Sequence, residues 1–233
     1  MNILKNTPPP LETGRDLLVK GLHRRSFLKW AGGAATVTSL ILTGCKEDDP
    51  DVTTGDVNLG TGDFAVLNYA YALEQLEAAF YARVIESQYS GITADETSLL
   101  TDIRDHEIAH REFFKAALGT NAIGGLTVDF SSIDFGKRES VLNAAKTFED
   151  LGVAAYNGAG KFITSPDYLT LAGKIVSVEA RHAAYIRDLL SNGTFADNTV
   201  VDSNGLEMSK EPTAVLQAAA PFIKNTINAG GLA

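Results

Sequence analysis

The 233-residue chain is 45% hydrophobic and 21% charged, which is ordinary for a globular protein, and its net charge is −9. Up to Gly44 there are six Lys and Arg against two acidic residues, so the remainder carries 14 basic against 27 acidic residues, a net charge of −13. An acidic body without a basic stripe excludes nucleic acid as a partner. Cys45 is the only cysteine, which excludes a disulfide framework and a thiolate metal site.

The N-terminal segment has the pattern of an export signal. RRSFLK at residues 24–29 precedes the apolar run WAGGAATVTSLILTG and then Cys45. A twin arginine before a short apolar run is typical of a twin-arginine signal, and the run is too short and dilute for a comfortable membrane span. LTGC resembles a lipobox, in which the cysteine becomes the first residue and carries lipid. We therefore predict that residues 1–44 are a signal peptide and that Cys45 is the lipid attachment site.

The predicted location is the cell envelope, on either its periplasmic or its cell-surface face, with a lipid anchor in a membrane. Residues 45–62 are acidic and rich in Gly, Thr and Asp, which predicts a solvated tether. The twin-arginine route carries proteins that have already folded. It therefore suits a protein that takes up its metal in the cytoplasm.

The domain predicted at 63–233 is all-α. Apolar residues at helical spacing predict four long helices, over residues 63–90, 93–118, 138–163 and 166–191. A capping box at Thr93–Glu96 opens the second helix, and Ser165 followed by Pro166 opens the fourth. PTAVLQAAAPFIKNTI predicts a short fifth helix. Two short connections and one long one, at 119–137, predict a four-helix bundle with a crossover between helices 2 and 3.

The two halves of the bundle repeat. Helix 2 contains Glu107 and His110, and helix 4 contains a Glu and a His at the same spacing, 72 residues later. Helix 1 has Glu74 followed seven residues later by Tyr81, and helix 3 repeats this Glu and Tyr 75 residues later. Residues three apart share a helix face, so each Glu-x-x-His pair can close on one ion.

The repeat matches the known pattern of dinuclear carboxylate sites in helix bundles, with one Glu from each of two helices and one Glu-x-x-His from each of the others. It therefore predicts a dinuclear metal site, for which iron is the expected metal and manganese the alternative. Four carboxylates balance two divalent cations, and one imidazole per metal suits these oxygen-seeking metals. The predicted ligands are Glu74, Glu107, His110, Glu149, Glu179 and His182. Glu77 also faces inward on helix 1. Glu74 is preferred because, of the two, only Glu74 is followed by a tyrosine seven residues later, as Glu149 is.

Other residues near the ligands have two interpretations each. Tyr81 and Tyr156 are either hydrogen-bond partners of ligand carboxylates or plain aromatic core. His106, one turn before His110, is either a neighbour of the ligands or a surface histidine. Asp150 points about 100° away from Glu149 and is expected to be structural. Gly158 and Gly160 are expected to permit a close approach of helices.

These motifs resemble the ferritin-like family that includes the desiccation-related proteins of plants and many exported bacterial relatives. The resemblance covers about residues 62–226 and is carried by LNYAYALEQLEAAFYARV, IRDHEIAHREFFKAALG, FEDLGVAAYNGA and VEARHAAYIRDLL. It implies the ferritin-like bundle, and its ligand pattern matches all six predicted positions in residue type.

The expected function is oxidation chemistry at a di-iron site with dioxygen or peroxide, as a ferroxidase or a peroxide consumer in envelope stress. One alternative is a di-manganese catalase, and another is a non-catalytic protein in which metal staples the bundle. The lipid-bearing membrane and a second copy of the chain in a homodimer are the other expected partners. A hollow iron-storage shell does not suit a lipid-tethered chain.

Overall fold

The structure, a computed structural model, describes residues 55–232. Its helices are α1 (Gly62–Glu86), α2 (Ala94–Leu118), α3 (Arg138–Ala159), α4 (Pro166–Leu190) and α5 (Pro212–Ala219). Two short strands, β1 (Val57–Asn58) and β2 (Ile227–Asn228), pair in parallel. The predicted signal peptide, Cys45 and most of the predicted tether lie outside the described residues. Across residues 55–232, none of the helices combines the length and apolarity that crossing a bilayer requires.

The helices form the predicted all-α bundle with a crossover. α1 packs along α2, α3 packs along α4, and α1 meets α3 across the bundle. Short connections join α1 to α2 and α3 to α4, while residues 119–137 carry the chain from α2 to α3. Leu76, Phe80 and Phe148 are among the side chains buried in the main core between the helix pairs.

Local capping explains where the helices begin. The Thr93 hydroxyl accepts a hydrogen bond from the Glu96 amide, and the Glu96 carboxylate accepts one from the Thr93 amide, both at 3.1 Å. This confirms the predicted capping box. The Ser165 hydroxyl accepts from the Tyr168 amide, ahead of Pro166 in the first turn of α4. α1 ends at Glu86 and α3 at Ala159, each four residues before its predicted end, and a 3₁₀ turn follows α3.

Two amide side chains of α1 hold the crossover in place. The Asn68 amide group donates to the carbonyls of Leu59 and Asn121, and its oxygen accepts from the Ile123 amide. Two turns later the Gln75 side-chain oxygen accepts a hydrogen bond from the crossover backbone. These bonds satisfy backbone groups of a segment that has no regular ladder of its own.

The structure changes the predicted boundaries at both ends of the domain. Val57 and Leu59 are buried, and β1 pairs with β2, so the last part of the expected tether belongs to the folded body. The fifth helix ends at Ala219, much shorter than the predicted segment. Pro221 explains this end, because proline has no amide proton and disfavours helix in the residue before it.

Gly158 allows a loop, not a helix, to approach α3. A Cβ at this position would lie 1.8 Å from the Lys210 carbonyl oxygen, while the Lys210 amide donates to the Ala154 carbonyl at 3.0 Å. At Gly160 a Cβ would meet only the Leu169 side chain, at 4.0 Å. The expected close approach therefore holds for Gly158 alone, and its neighbour is the backbone before α5.

Gly158→Ala is expected to destabilise the protein by about 1–3 kcal/mol, because the new methyl group displaces this backbone. Gly173→Ala is the matched control, since Gly173 also lies in a helix and its Cβ would meet nothing within 4 Å. The control should be neutral or stabilising by roughly 0.5–1 kcal/mol. Urea unfolding of both variants measures the difference, and equal stabilities would contradict this packing.

Candidate metal centre

The four long helices bring the six predicted ligands to one place in the bundle. The four carboxylates of Glu74, Glu107, Glu149 and Glu179 are fully buried, at 0% exposure. The His182 side chain is 5% exposed and that of His110 13%. Charged groups are almost never fully buried without partners, so this cluster requires a compensating charge.

The ligands form two groups that each could hold a metal ion, and Glu107 and Glu179 belong to both. One group adds Glu74 and His110, and the other adds Glu149 and His182. Within each group one atom from every residue lies within 4.8 Å of the others. The glutamates of the two Glu-x-x-His motifs are therefore shared between the groups. Glu74 of α1 and Glu149 of α3 each belong to one group only.

The distances in the two groups match pair by pair. His110 Nδ1 lies 2.8 Å from Glu179 Oε1, 3.5 Å from Glu74 Oε2 and 3.7 Å from Glu107 Oε2. His182 Nδ1 lies 2.8 Å from Glu107 Oε1, 3.5 Å from Glu149 Oε2 and 3.7 Å from Glu179 Oε2. Each shared carboxylate thus turns one oxygen to each imidazole, and the sequence repeat becomes a two-fold arrangement in space.

The chemistry of the donor atoms fits metal ions. The buried atoms that make no hydrogen bond in the described structure include Nδ1 of both histidines, both oxygens of Glu107 and Glu179, and one oxygen each of Glu74 and Glu149. Ligand atoms about 2.1 Å from one ion stand about 3 Å apart when they subtend a right angle, which is close to the shortest separations here. Unsatisfied buried acceptors are costly, and a pair of cations satisfies all of them together.

Tyr81 and Tyr156 are hydrogen-bond partners of Glu149 and Glu74, which we call the terminal carboxylates because each belongs to only one ligand group. The Tyr81 hydroxyl donates to Glu149 Oε1 at 2.5 Å, and the Tyr156 hydroxyl donates to Glu74 Oε1. Each tyrosine therefore donates its hydrogen bond to the glutamate in the other half of the repeat. These bonds occupy one oxygen of each terminal carboxylate and leave Oε2 facing the imidazole of its group.

Without metal, protons must supply the compensating charge. Burial disfavours the charged imidazole of His110, but the carboxylates of Glu107, Glu179 and Glu74 outweigh it and raise its pKa to about 12. Burial raises the pKa of Glu149 to about 7, although His182 and Tyr81 act against it. Burial would also raise the pKa of Glu179, but the two histidines lower it to about 2.

Glu77 is a fifth buried carboxyl beside the cluster, and it belongs to neither ligand group. It is 3% exposed, and burial, followed by the charges of Glu107 and Glu179, raises its pKa well above its ordinary value. The equivalent position in the second half, 75 residues later, is Gly152, where a Cβ would lie 3.0 Å from Glu77 Oε1. Gly152 leaves room for the Glu77 carboxyl. The offset of the sequence repeat relates positions 77 and 152, so this pairing of a Glu with a Gly could be found from the sequence.

His106 contacts only one of the two candidate histidine ligands, His182. Its Nδ1 lies 3.0 Å from Nε2 of His182, and the two rings are nearly parallel, with an interplanar angle of 9°. A hydrogen bond at Nε2 orients the imidazole so that Nδ1 faces the carboxylates. The equivalent of His106 in the other half, 72 residues later, is Val178. His110 therefore has no matching histidine.

Sequence reasoning missed the buried Arg187. Its side chain is 4% exposed and binds the Asp150 carboxylate through two hydrogen bonds, of 2.7 and 2.9 Å. Arg187 also reaches Asp197 and Thr199 in the loop after α4. Asp150 thus has the structural role expected for it, joining α3 to α4 beside the ligand Glu149.

The metal-free protein is expected to lose stability as the pH rises from about 5 to about 8. A group with a raised native pKa binds its proton more tightly when folded, so its contribution is lost as the pH passes through the folded value. For Glu149 this window runs from 4.5 to about 7, and for His110 from 6.5 to about 12. Glu179 has a lowered pKa, so its contribution to stability is lost as the pH falls from 4.5 towards about 2, below the range of this prediction.

Thermal unfolding of chelator-treated protein across this pH range measures the effect. The midpoint should fall by at least a few degrees, since 1 kcal/mol corresponds to roughly 2–4 °C in a domain of this size. Glu149→Gln should flatten the curve between pH 4.5 and about 7. Metal affinity should change in the opposite sense and increase with pH, because binding releases protons. A metal-free midpoint that rises with pH would contradict the protonation described here.

Comparison with known proteins gives the same fold. A search of curated proteins found no match. The model of the ferritin-like domain family matches residues 62–192, which run from the first residue of α1 to just beyond the end of α4 and include all six candidate ligands. This match covers more than half of the chain, and the chain therefore belongs to the ferritin-like domain family.

Proposed function

We propose that this protein is an oxidoreductase that binds two iron ions in the bundle and reacts with dioxygen or peroxide. The observation that carries the proposal is the matched geometry of the two ligand groups. Each imidazole has one terminal carboxylate and one oxygen from each shared carboxylate, at the same three distances. A single structural ion would not require two equal groups.

The donor set favours two divalent ions of an oxygen-seeking metal. Four ionised carboxylates carry four negative charges, which two divalent cations neutralise. One nitrogen and several carboxylate oxygens per ion suit iron and manganese better than zinc or copper. Iron is the proposed metal and manganese the alternative, because both accept this set.

Two Fe(II) ions would supply two electrons, which with two protons reduce dioxygen to hydrogen peroxide, or hydrogen peroxide to two water molecules. Glu107 and Glu179 hold the two ligand groups at a constant separation, because each carboxylate spans both. Tyr81 and Tyr156 keep the terminal carboxylates in place. In the metal-free protein, burial and the neighbouring carboxylates raise the pKa of Glu77 well above its ordinary value, so Glu77 would be the group that carries a proton beside the cluster.

The metal content of the purified protein tests the proposal. We expect about two iron ions per chain by elemental analysis, and loss of both in a Glu107→Gln/Glu179→Gln double variant, because both substitutions act on the shared ligands. The substitutions keep the shape of the side chains and remove the charge. Glu112→Gln is the matched control on the same helix, since Glu112 is exposed and lies outside both ligand groups. The control should retain both ions.

Turnover distinguishes the alternatives. Consumption of dioxygen or peroxide by the iron-loaded protein supports the oxidoreductase. Two manganese ions with rapid evolution of oxygen from peroxide would support the catalase type instead. Metal that stabilises the fold without any turnover would indicate a structural role. Less than a tenth of an equivalent of metal in a folded wild-type protein would contradict the dinuclear site.

We also propose that the protein is exported by the twin-arginine route and anchored by lipid in the cell envelope, with a role in envelope stress. The support lies in the sequence before the described residues, where Arg24 and Arg25 precede the apolar run and LTG precedes Cys45. The resemblance to exported relatives of the desiccation-related proteins agrees with this location.

Cell fractionation with a labelled fatty acid tests the anchor. The wild-type protein should carry the label in the membrane fraction, and Cys45→Ala should remove the label, because the cysteine is the acylated residue. Arg24→Lys/Arg25→Lys should keep an unprocessed protein in the cytoplasm. Lys29→Arg, which preserves the twin arginine and the charge, is the control and should change neither result. A labelled Cys45→Ala protein would refute the assignment.

A further inference from the structure

An apolar cavity lies beside one half of the candidate metal centre. Its volume is about 30 Å³, and its walls come from α1, the end of α2, the end of α3 with its 3₁₀ turn, and the first turns of α4. Its lining includes Leu73, Phe114, Ala155, Tyr156 and Ala172. The inner wall is buried, whereas Tyr156 and Ala172 are half-buried.

The cavity borders the ligand group of Glu74 and His110. The Tyr156 side chain lines the cavity, and its hydroxyl donates to Glu74 Oε1, so one side chain connects the cavity to a ligand. Leu73 immediately precedes Glu74 on α1. Phe114 lies one turn after His110 on α2, so these residues place the cavity against this group.

The corresponding space in the other half of the repeat is filled. Moving by the repeat offsets relates Ala155 to Phe80 and Ala172 to Leu100. Phe80 and Leu100 are both 0% exposed and belong to the main core, where Phe80 packs edge-to-face against Phe148 at 5.0 Å. Two large core residues of one half are therefore alanines in the other, at positions that line the cavity.

Size and polarity limit what the cavity can hold. A water molecule needs about 10–15 Å³, so 30 Å³ accommodates about two water-sized units and excludes an organic substrate of many atoms. The lining side chains are almost all hydrocarbon or aromatic, and the hydroxyl of Tyr69, one of them, makes no hydrogen bond in the described part of the chain. Water needs two to four polar partners, so the cavity favours an apolar occupant.

We propose that this cavity binds dioxygen and delivers it past Tyr156 to the Glu74 and His110 group. The inference rests on the proposed function and narrows its substrate from dioxygen or peroxide to dioxygen. Dioxygen is apolar and small, and it gives up no hydrogen bonds when it leaves water. Hydrogen peroxide both donates and accepts several hydrogen bonds, and the Tyr69 hydroxyl alone cannot replace them.

The direct test uses xenon, an apolar atom that binds in dry protein cavities. Crystals of the iron-loaded protein pressurised with xenon should show density between α1 and α4, against Tyr156. Ala172→Leu places in the cavity the residue type that fills the other half, and the cavity provides space for the added side-chain atoms. This variant should lose the xenon density. Ala116→Leu, exposed on α2 and outside the cavity, should retain it.

The kinetic test separates the two oxidants. Fe(II)-loaded protein is mixed with dioxygen or hydrogen peroxide, and formation of Fe(III) is followed by absorbance. Ala172→Leu should slow the reaction with dioxygen severalfold and leave iron content unchanged, because delivery is blocked and the ligands are intact. Its reaction with hydrogen peroxide should equal that of the wild type. Ala116→Leu should match the wild type with both oxidants.

Ordered water in place of xenon, or a filled variant that reacts with dioxygen at the wild-type rate, would overturn the proposal. Equal slowing with both oxidants would also overturn it, because it would indicate damage to the metal centre. A wild-type protein that takes up no iron overturns the proposed function and dioxygen delivery with it. The xenon result on that metal-free protein then shows separately whether the cavity binds apolar molecules.

Discussion

The structure depends on the burial of four carboxylates around one centre. Like charges in a low-dielectric interior repel strongly, and removing them from water carries a cost of its own. Metal ions or protons must therefore be present whenever this bundle is folded. The raised pKa values of His110 and Glu149 and the lowered pKa of Glu179 are the response of the cluster to that requirement. The hydrogen bonds of Tyr81 and Tyr156 and the Arg187–Asp150 ion pair between α3 and α4 hold the charges close despite their repulsion.

The second organising feature is the internal two-fold symmetry. A chain that repeats one helix pair can place two identical Glu-x-x-His motifs opposite each other, so that each carboxylate spans the centre. The tyrosine hydrogen bonds follow the same symmetry. Tyr81 of α1 donates to Glu149 of α3, and Tyr156 of α3 donates to Glu74 of α1. Neither half completes its own ligand group, which makes the centre a property of the assembled bundle.

The departures from symmetry give the two ligand groups different surroundings. Around His182 there is a partner histidine, His106, which is exposed to solvent. Around Glu74 there is an apolar cavity, at positions that the other half fills with Phe80 and Leu100. Glu77 faces Gly152 and adds one carboxyl on one side only. Two equal ligand groups with unequal surroundings suit the proposed oxidation chemistry, in which an apolar molecule and protons would reach the centre by different paths.

The sequence by itself determined the helices, the crossover and the six candidate ligands, because helical periodicity and the repeat offsets are local, one-dimensional signals. It left open the choice between Glu74 and Glu77 on geometric grounds, since both lie on the inner face of α1. Only the tertiary structure decided that Glu74 joins a ligand group while Glu77 lies against Gly152. The partners of Tyr81, His106 and Arg187 and the cavity beside Tyr156 also needed the fold. Their contacts join residues 37 to 82 positions apart, and such distances depend on how four helices pack.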